Sequence, residues 1–176
     1  MIAPCLKGLL SLTLSAFLGC MQPAFAQVDE NALKAAFIYN FAMFTTWKAH
    51  PSEGPVFNVC VGDDSPLRSA LGELSGRPVD NRSWTVRTMP PVSNASICQI
   101  VVYDPQNGGL ANEIAAAVYG NSVLLVTDGG EARKNHAVIT LTLEKDLLHF
   151  DVDLGAAKER GVSLSSNLLR LARSVL

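Results

Sequence analysis

Short apolar runs alternate with helical segments through the middle of the chain, and this alternation limits the possible folds more than any other feature. Runs such as FNVCVG and SVLLVT are short, rich in apolar residues and followed by turn residues, as is typical of buried strands. The pattern predicts strands at residues 57–62, 84–89, 97–103 and 122–127, with helices at residues 67–74 and 110–119. Because helices separate the strands, we expect right-handed βαβ crossovers and a largely parallel sheet.

The last third of the chain has a different pattern. Two strand-like runs, residues 137–143 and 147–154, flank the polar residues 144–146, and this arrangement predicts a hairpin. In the second run, one face carries Phe150, Val152 and Leu154, and the other carries His149, Asp151 and Asp153. The carboxylate face has two interpretations: it binds a cation or a basic partner, or it is the solvated side of an antiparallel strand.

The end of the chain is predicted to be helical. Residues 156–160 predict one helical turn ended by Gly161, and residues 165–176 predict an amphipathic helix with Ser165 as its N-cap. The predicted fold class is therefore α/β. We expect a single domain with a mixed, mostly parallel sheet, flanking helices, and a C-terminal β-hairpin followed by a helix.

An aromatic segment at residues 33–47, LKAAFIYNFAMFTTW, predicts a buried helix before the first strand. Leu33, Phe37, Phe41 and Phe44 recur at three- and four-residue spacing, so they share one side of a helix. Such stripes are usually core, because each aromatic ring buries a large apolar area. The segment therefore indicates packing and does not identify an activity.

Residues 1–26 have the features of an export signal. Lys7 supplies a positive start, residues 9–21 form a short apolar run, and Ala24-Phe25-Ala26 gives a small-x-small cleavage pattern. We expect the mature domain, residues 27–176, to begin at Gln27 and to act in the periplasm. The alternative is a lipoprotein that is acylated at Cys20 and anchored to a membrane.

Two cysteines, Cys60 and Cys98, remain in the mature chain. In an exported protein they are predicted to form one disulfide, whereas the alternative is a pair of buried thiols. Closing a loop of this length would stabilise the fold by about 4 kcal/mol on the chain-entropy estimate.

Composition and motifs argue against several classes of function. The net charge is −2 and becomes −3 once Lys7 is removed, with no basic run, so nucleic acid is not an expected partner. The histidines His50, His136 and His149 are scattered and lack metal-ligand spacing, and no nucleophile or dinucleotide motif is present. We therefore predict no catalytic residues, no metal site, no cofactor and no enzymatic activity.

One position favours a small ligand. Asp63 and Asp64 follow the first predicted strand, where α/β folds place ligands, outside the carboxyl ends of strands. These residues could line a pocket. The alternative is that they form a turn and cap the next helix.

Four blocks of the chain together resemble the YfiR-type periplasmic protein family. They are KAAFIYNFAMFTTW at residues 34–47, FNVCVG at residues 57–62 with Cys98, SVLLVTD at residues 122–128, and FDVDLGAAKERGVSLSSNLLRLA at residues 150–172. The resemblance implies a fold like the one predicted above and a homodimer. It also implies a periplasmic repressor of a membrane-bound diguanylate cyclase, which lowers cyclic di-GMP synthesis and biofilm formation.

The expected function is therefore binding. We expect the domain to dock on the periplasmic part of an inner-membrane signalling protein, through the outward face of the late hairpin around Ile139, Asp151 and Asp153. The alternative is a periplasmic small-ligand sensor, or an accessory protein for another envelope receptor or transport system.

Overall fold

The computed structural model describes residues 29–48, 54–104, 108–130 and 136–176. The predicted signal peptide, the alternative lipid anchor at Cys20 and the predicted mature start at Gln27 lie outside these ranges. The elements in order are α1 (Glu30–Met43), β1 (Thr45–Trp47), β2 (Val56–Val61), α2 (Leu67–Gly72), β3 (Pro78–Val79), β4 (Arg82–Thr88), a 3-10 helix (Val92–Ile97), β5 (Ile100–Tyr103), α3 (Gly108–Ala117), β6 (Leu124–Asp128), β7 (Ile139–Glu144), β8 (Leu147–Val152), α4 (Leu154–Glu159), β9 (Val162–Leu164), α5 (Ser166–Leu169) and β10 (Ser174–Val175).

The predicted fold class is confirmed: within the described ranges the chain forms a single α/β domain around a mixed, mostly parallel sheet. Eight strands of the described chain lie in the order β10-β8-β7-β6-β5-β2-β4-β3. The five central strands, from β4 to β7, are parallel. β3 runs antiparallel to β4, β8 runs antiparallel to β7, and β10 runs parallel to β8. A separate antiparallel ribbon joins β1 to β9.

Two apolar cores cover the two faces of the sheet, because alternate strand residues point to opposite sides. The first core receives side chains from α1, α2, α4 and α5, and it contains the large aromatic residues Phe41, Phe57, Trp84 and Phe150. The second core receives side chains from α3 and the 3-10 helix, and its residues are smaller. We call these the aromatic core and the small-residue core.

The N-terminal helix is shorter than predicted. It ends at Met43, and residues 45–47 form β1 instead of a last helical turn. The Thr45 hydroxyl donates a hydrogen bond to the Phe41 carbonyl at 2.6 Å, and the β-branched residues that follow pair with β9. The predicted stripe was wrong in detail, because Phe44 is 39% exposed, and Ala35, Ile38, Phe41 and Ala42 form the buried side.

The hairpin prediction is confirmed. β7 and β8 pair antiparallel in register from Ile139 opposite Val152 to Glu144 opposite Leu147. Lys145 and Asp146 form the turn and both have positive φ, 50° and 64°. This is the backbone of the two-residue turns whose twist matches that of a hairpin.

The predicted C-terminal helix is wrong beyond its first turn. Ser165 does cap α5, since its hydroxyl accepts a hydrogen bond from the Leu168 N–H at 3.3 Å, but α5 ends at Leu169. The chain then adds β10 to the sheet. The N–H groups of Arg173 and Leu176 donate to the carbonyls of Phe150 and Val152, at 2.8 Å each. These bonds satisfy part of the edge of β8, a gain in hydrogen bonding that a surface helix would not give.

Candidate functional site

Cys60 and Cys98 are joined by a disulfide, as predicted, with their Cα atoms 5.8 Å apart. Cys60 lies in β2, and Cys98 lies between the 3-10 helix and β5. Both side chains are fully buried in the small-residue core. A reductant in solution therefore has no direct access to the sulfur atoms in the folded state.

The structure places the predicted docking residues in three different environments. Ile139 is fully buried and lies opposite Val152, on the side of the hairpin that faces the aromatic core. Ile139 therefore cannot belong to an outward face, and that part of the predicted surface is wrong. Asp151 lies opposite Thr140, on the other side of the hairpin.

Asp153 caps a helix. Its carboxylate oxygen Oδ1 accepts a hydrogen bond from the Ala156 N–H at 2.9 Å, at the N-terminus of α4. This bond satisfies one of the N–H groups that a helix leaves unpaired at its start. A role in α4 therefore accounts for Asp153 without a partner.

Arg173 was not predicted as a site residue, yet it holds the outward end of the hairpin. Its Nε and Nη2 donate to the two carboxylate oxygens of Asp151 at 3.0 and 2.5 Å, and its Nη1 donates to Glu144 Oε1 at 2.5 Å. The hydrogen bonds to Asp151, together with Glu144, raise the pKa of Arg173 above its usual value. No local sequence pattern indicates this arrangement, and the helix predicted for residues 165–176 includes Arg173.

Exposed apolar side chains lie on or next to the strands that carry this ion-pair cluster. Leu147 at the start of β8 and Leu171 just before β10 are 63% and 73% exposed, and Val175 of β10 is also exposed. We define the edge surface as the β8–β10 edge of the sheet with Glu144, Leu147, Asp151, Leu171, Arg173 and Val175. Exposed large apolar side chains at a sheet edge that also carries fixed charged groups are typical of a protein-binding surface.

Asp63 and Asp64, the residues predicted to line a ligand pocket, lie at a cleft of about 470 Å³, and ligand binding there stays a prediction. The cleft lies at the carboxyl ends of β2, β5 and β6, and it is lined by Gly62, Asp63, Asp64, Ser65, Pro66, Leu67, Val102, Tyr103, Asp104, Leu110 and Asp128. The chain goes from β2 to β4 on one side and then to β5 on the other, so β2 and β5 flank the switch point. Sequence reasoning missed Asp104 and Asp128, although each follows or ends a predicted strand.

Some of the charge in this cleft is already paired. Asp63 accepts a hydrogen bond from the Thr88 hydroxyl at 2.7 Å and lies 3.3 Å from Arg68 Nη1. The buried Lys34 of α1 donates to Asp128 Oδ2 at 2.7 Å and also contacts Glu30. Burial disfavours the ammonium form of Lys34, but the hydrogen bonds and charges of Asp128 and Glu30 outweigh burial and raise its pKa.

No group of three or more histidine, cysteine, aspartate or glutamate side chains in the described part of the chain could hold a metal ion. None of the helices in those ranges is long and apolar enough to cross a membrane.

Comparisons with known proteins identify the family. Curated proteins give no match to the chain. A family model described as YfiR/HmsC-like matches residues 31–173, which include β1 to β9 and all but the first residue of α1. The family resemblance predicted from the four sequence blocks is thus confirmed. The chain belongs to the YfiR/HmsC-like family.

Proposed function

We propose that the protein is a periplasmic regulator that binds the periplasmic part of an inner-membrane diguanylate cyclase and represses it, lowering cyclic di-GMP output. Family membership supports the class of function. The observation that carries the proposal for this chain is the edge surface, where exposed leucines flank an arginine held by two carboxylates.

The edge surface has the composition of a binding hot spot. Leu147 and Leu171 expose most of their side chains, and burying each against a partner would gain roughly 1.5–3 kcal/mol before the cost of association. Arg173 is already fixed by Asp151, so its planar guanidinium would lose little side-chain freedom on docking. Arginine and large apolar groups are the residues that most often dominate protein interfaces.

Repression requires unequal binding to two states of the cyclase. A repressor that binds the inactive conformation ten times more tightly than the active one shifts their ratio by about 1.4 kcal/mol. An envelope signal would relieve repression by weakening docking. The disulfide is a poor site for that signal, because Cys60 and Cys98 are fully buried and lie among the central strands, away from the edge surface.

The first experiment replaces one exposed leucine of the edge surface. Leu171→Asp should abolish co-purification of the protein with the membrane cyclase and raise cellular cyclic di-GMP, because a carboxylate would be buried at the interface. The matched control is Tyr119→Ser, which changes an exposed apolar side chain after α3, outside the edge surface. Normal repression by Leu171→Asp, or equal loss of repression in both variants, would remove the edge surface from the proposal.

Export and assembly belong to the same proposal. A periplasmic repressor must be secreted, so the mass of the protein from the periplasm should correspond to a chain that begins at Gln27. A lipid-modified species beginning at Cys20 would instead support the anchored form. We also propose that the mature protein is a homodimer, and a monomeric mass in sedimentation equilibrium would contradict this.

The cleft supports a second candidate function, that of a small-ligand sensor. Its volume of about 470 Å³ is within the range of small-molecule sites, and it lies at the switch point of the sheet. A sensor of this kind need not bind a cyclase. Loss of repression in Leu171→Asp supports the first function, whereas ligand binding without any membrane partner supports the second.

A further inference from the structure

The antiparallel ribbon of β1 and β9 has one side in the aromatic core and one side in solvent. Trp47 and Val162, which are register partners, pack on the aromatic core. Phe44, Thr46 and Lys48 alternate along the chain with inward-pointing residues, and all three are exposed. Core packing therefore explains the inner side of the ribbon and leaves the outer side free to contact a partner.

One end of the outer side carries apolar groups. Met43, the last residue of α1, is 48% exposed, and the adjacent Phe44 is 39% exposed. The backbone at Phe44 is fixed, because its carbonyl accepts a hydrogen bond from the Ser165 N–H at 2.9 Å. A thioether and a phenyl ring that are exposed side by side gain free energy when an apolar phase covers them.

The other end of the outer side carries positive charge. The Lys48 N–H donates to the Gly161 carbonyl at 3.3 Å, and the Gly161 N–H donates to the Lys158 carbonyl at 3.2 Å. Gly161 has a φ of 66°, a conformation that glycine adopts readily, and the chain turns there from α4 into β9. Both lysines consequently line one cleft of about 280 Å³ between α4 and the ribbon.

The positive charge at this cleft is not neutralised by described neighbours. Neither Lys48 nor Lys158 forms an ion pair within the described ranges, and the described lining residues include no acidic side chain. The carboxylate of Glu159 lies 3.6 Å from the guanidinium of the buried Arg160 instead. The predicted mature chain has a net charge of −3, so attraction to an anionic partner has to come from a local patch such as this one.

The arrangement of apolar and basic groups matches a phospholipid surface better than a soluble anion. Phe44 and Lys48 are four residues apart in extended chain, which is about 13 Å, so one flat surface can contact both. A soluble anion would contact the lysines alone. An anionic bilayer presents phosphates to the lysines and apolar depth to the adjacent side chains.

We propose that the ribbon face docks reversibly on an anionic phospholipid bilayer. The ribbon face consists of Met43, Phe44, Thr46, Lys48, Lys158 and Ser163. Lipid phosphates would lie at the two lysines, and the side chains of Met43 and Phe44 would enter the headgroup region. Such docking would concentrate the protein at a membrane, but the inference does not rest on the proposed repression of a cyclase.

The test is co-sedimentation of the purified mature protein with lipid vesicles. Vesicles of phosphatidylglycerol and phosphatidylcholine in equal amounts should bind the protein, less so as salt is raised, and vesicles of phosphatidylcholine alone should not. Lys48→Gln and Lys158→Gln should each weaken partitioning about fivefold, and the double variant roughly thirtyfold, because a lysine near an anionic surface contributes about 1 kcal/mol. Lys145→Gln is the matched control, since Lys145 is an exposed lysine in the hairpin turn, at the end of β8 away from α4, and this variant should bind like the wild type.

Met43→Gln tests the apolar part of the ribbon face. Glutamine is a good helix former, so α1 should keep its last turn. Partitioning should weaken at every salt concentration while its salt dependence stays the same, because no charge is removed. The lysine variants should instead reduce the salt dependence.

Several outcomes would overturn the inference. They are no binding to the mixed vesicles, equal binding to phosphatidylcholine alone, wild-type binding by the double lysine variant, and an equal loss of binding in Lys145→Gln. Release from the vesicles by inorganic phosphate at constant ionic strength would also overturn it, because the cleft would then be a site for a soluble anion. The vesicles contain no protein, so a failure here would leave the edge surface and the proposed repression unaffected.

Discussion

The two halves of the eight-stranded sheet are built in different ways, and we call the half formed by β5, β2, β4 and β3 the closed end and the half formed by β10, β8 and β7 the open end. Around β2, the ring of Phe57 stacks on that of Trp84 with centroids 5.8 Å apart, and the buried disulfide ties this strand to the segment before β5. At β8 and β10, leucines are exposed and charged residues pair at the surface. Contacts within the chain stabilise the first end without a partner. The second end exposes apolar area that a partner could bury.

The outermost strands, β3 and β10, have two residues each and cover only part of a longer neighbour. β3 begins with Pro78, which has no N–H group to offer a new strand, and it pairs with β4 at residues 82 and 83. β10 pairs with β8 at residues 151 and 152, and the Arg173 N–H donates to the Phe150 carbonyl, so residues 147–149 of β8 keep an uncovered edge among the described elements. An edge left open beside exposed leucines is where we expect a partner to bind.

The largest expected effect is a loss of stability at the closed end. Replacing both Cys60 and Cys98 with alanine should lower the free energy of unfolding by about 4 kcal/mol, because the unfolded chain regains the entropy of a loop that spans 38 residues. Urea unfolding measures this loss. Ser93→Ala, in the 3-10 helix that precedes Cys98, is the control and should change stability little, since Ser93 is exposed.

If the double variant remains folded, it also tests whether the two ends of the sheet are independent of each other. The edge surface should still bind the membrane partner at a temperature where the variant is native. A folded variant with wild-type stability would show that the disulfide contributes nothing, and one that is folded but cannot bind would show that the two ends are coupled.

The next largest effect concerns the ion pair between α1 and the central strands. Asp128→Asn should cost about 1–3 kcal/mol, because Lys34 stays buried and Glu30 is its remaining charged partner among the described residues. The pKa of Lys34 is raised in the folded state, so its contribution is full below its ordinary pKa and is lost as the pH rises through the folded value. The stability difference between wild type and variant should therefore stay constant up to about pH 9 and shrink at higher pH.

Glu30→Gln is the matched variant for that pair. The Glu30 side chain is about half exposed, so its charge is better screened than that of Asp128 and its removal should cost less. Equal losses of stability in the two variants would show that Asp128 stabilises the position of α1 no more than Glu30 does. Chemical denaturation at a series of pH values gives both comparisons.

The sequence predicted the closed end better than the open end. Strands such as FNVCVG are marked by local composition, and the two cysteines of the mature chain left few alternatives for pairing. Residues 165–176 carry leucines at helical spacing, yet only four of them form α5. The remainder joins the sheet because β8 has an unsatisfied edge, and no local pattern in the tail records the position of β8.

The candidate site residues were likewise predictable where a local pattern marks their position, and not where distant residues determine it. Asp63 and Asp64 were predictable because ligand clefts in α/β folds lie at strand ends, which are visible in the sequence. Arg173 was not, since its partners Asp151 and Glu144 are 22 and 29 residues away. Ile139 was misplaced because the hydrophobic pattern defines two faces of a hairpin without saying which residues of the first strand share a face with Asp151.

A smaller effect separates capping from docking at Asp153. Asp153→Ala should destabilise the protein by about 1 kcal/mol through loss of the α4 cap, whereas Asp153→Asn should retain most of the stability because asparagine also caps helices. Partner binding by the Asn variant then reports on the charge alone. If Asp153→Asn keeps its stability but loses the partner, the carboxylate belongs to the docking surface after all.

The smallest expected change in stability is at Arg173, and it gives the sharpest separation of the two ends. Arg173→Lys keeps the positive charge but loses the fork that reaches both Asp151 and Glu144. Arg173 is partly exposed, so solvent screening limits the loss of stability to less than about 1 kcal/mol. Affinity for the membrane partner should nevertheless fall by about tenfold or more, because a flexible lysine must be ordered on docking.

The competing account is that Arg173 only fastens β10 to β8. In that case Arg173→Lys would lower stability and affinity together, and Arg68→Lys would serve as a control with a comparable loss of stability. Arg68 also pairs with an aspartate, Asp63, but at the other end of the sheet. Weakened partner binding in Arg173→Lys alone, at equal stability of the two variants, would assign recognition to the open end. Equal affinities of the two variants for the membrane partner would mean that the exposed leucines bind it without a contribution from Arg173.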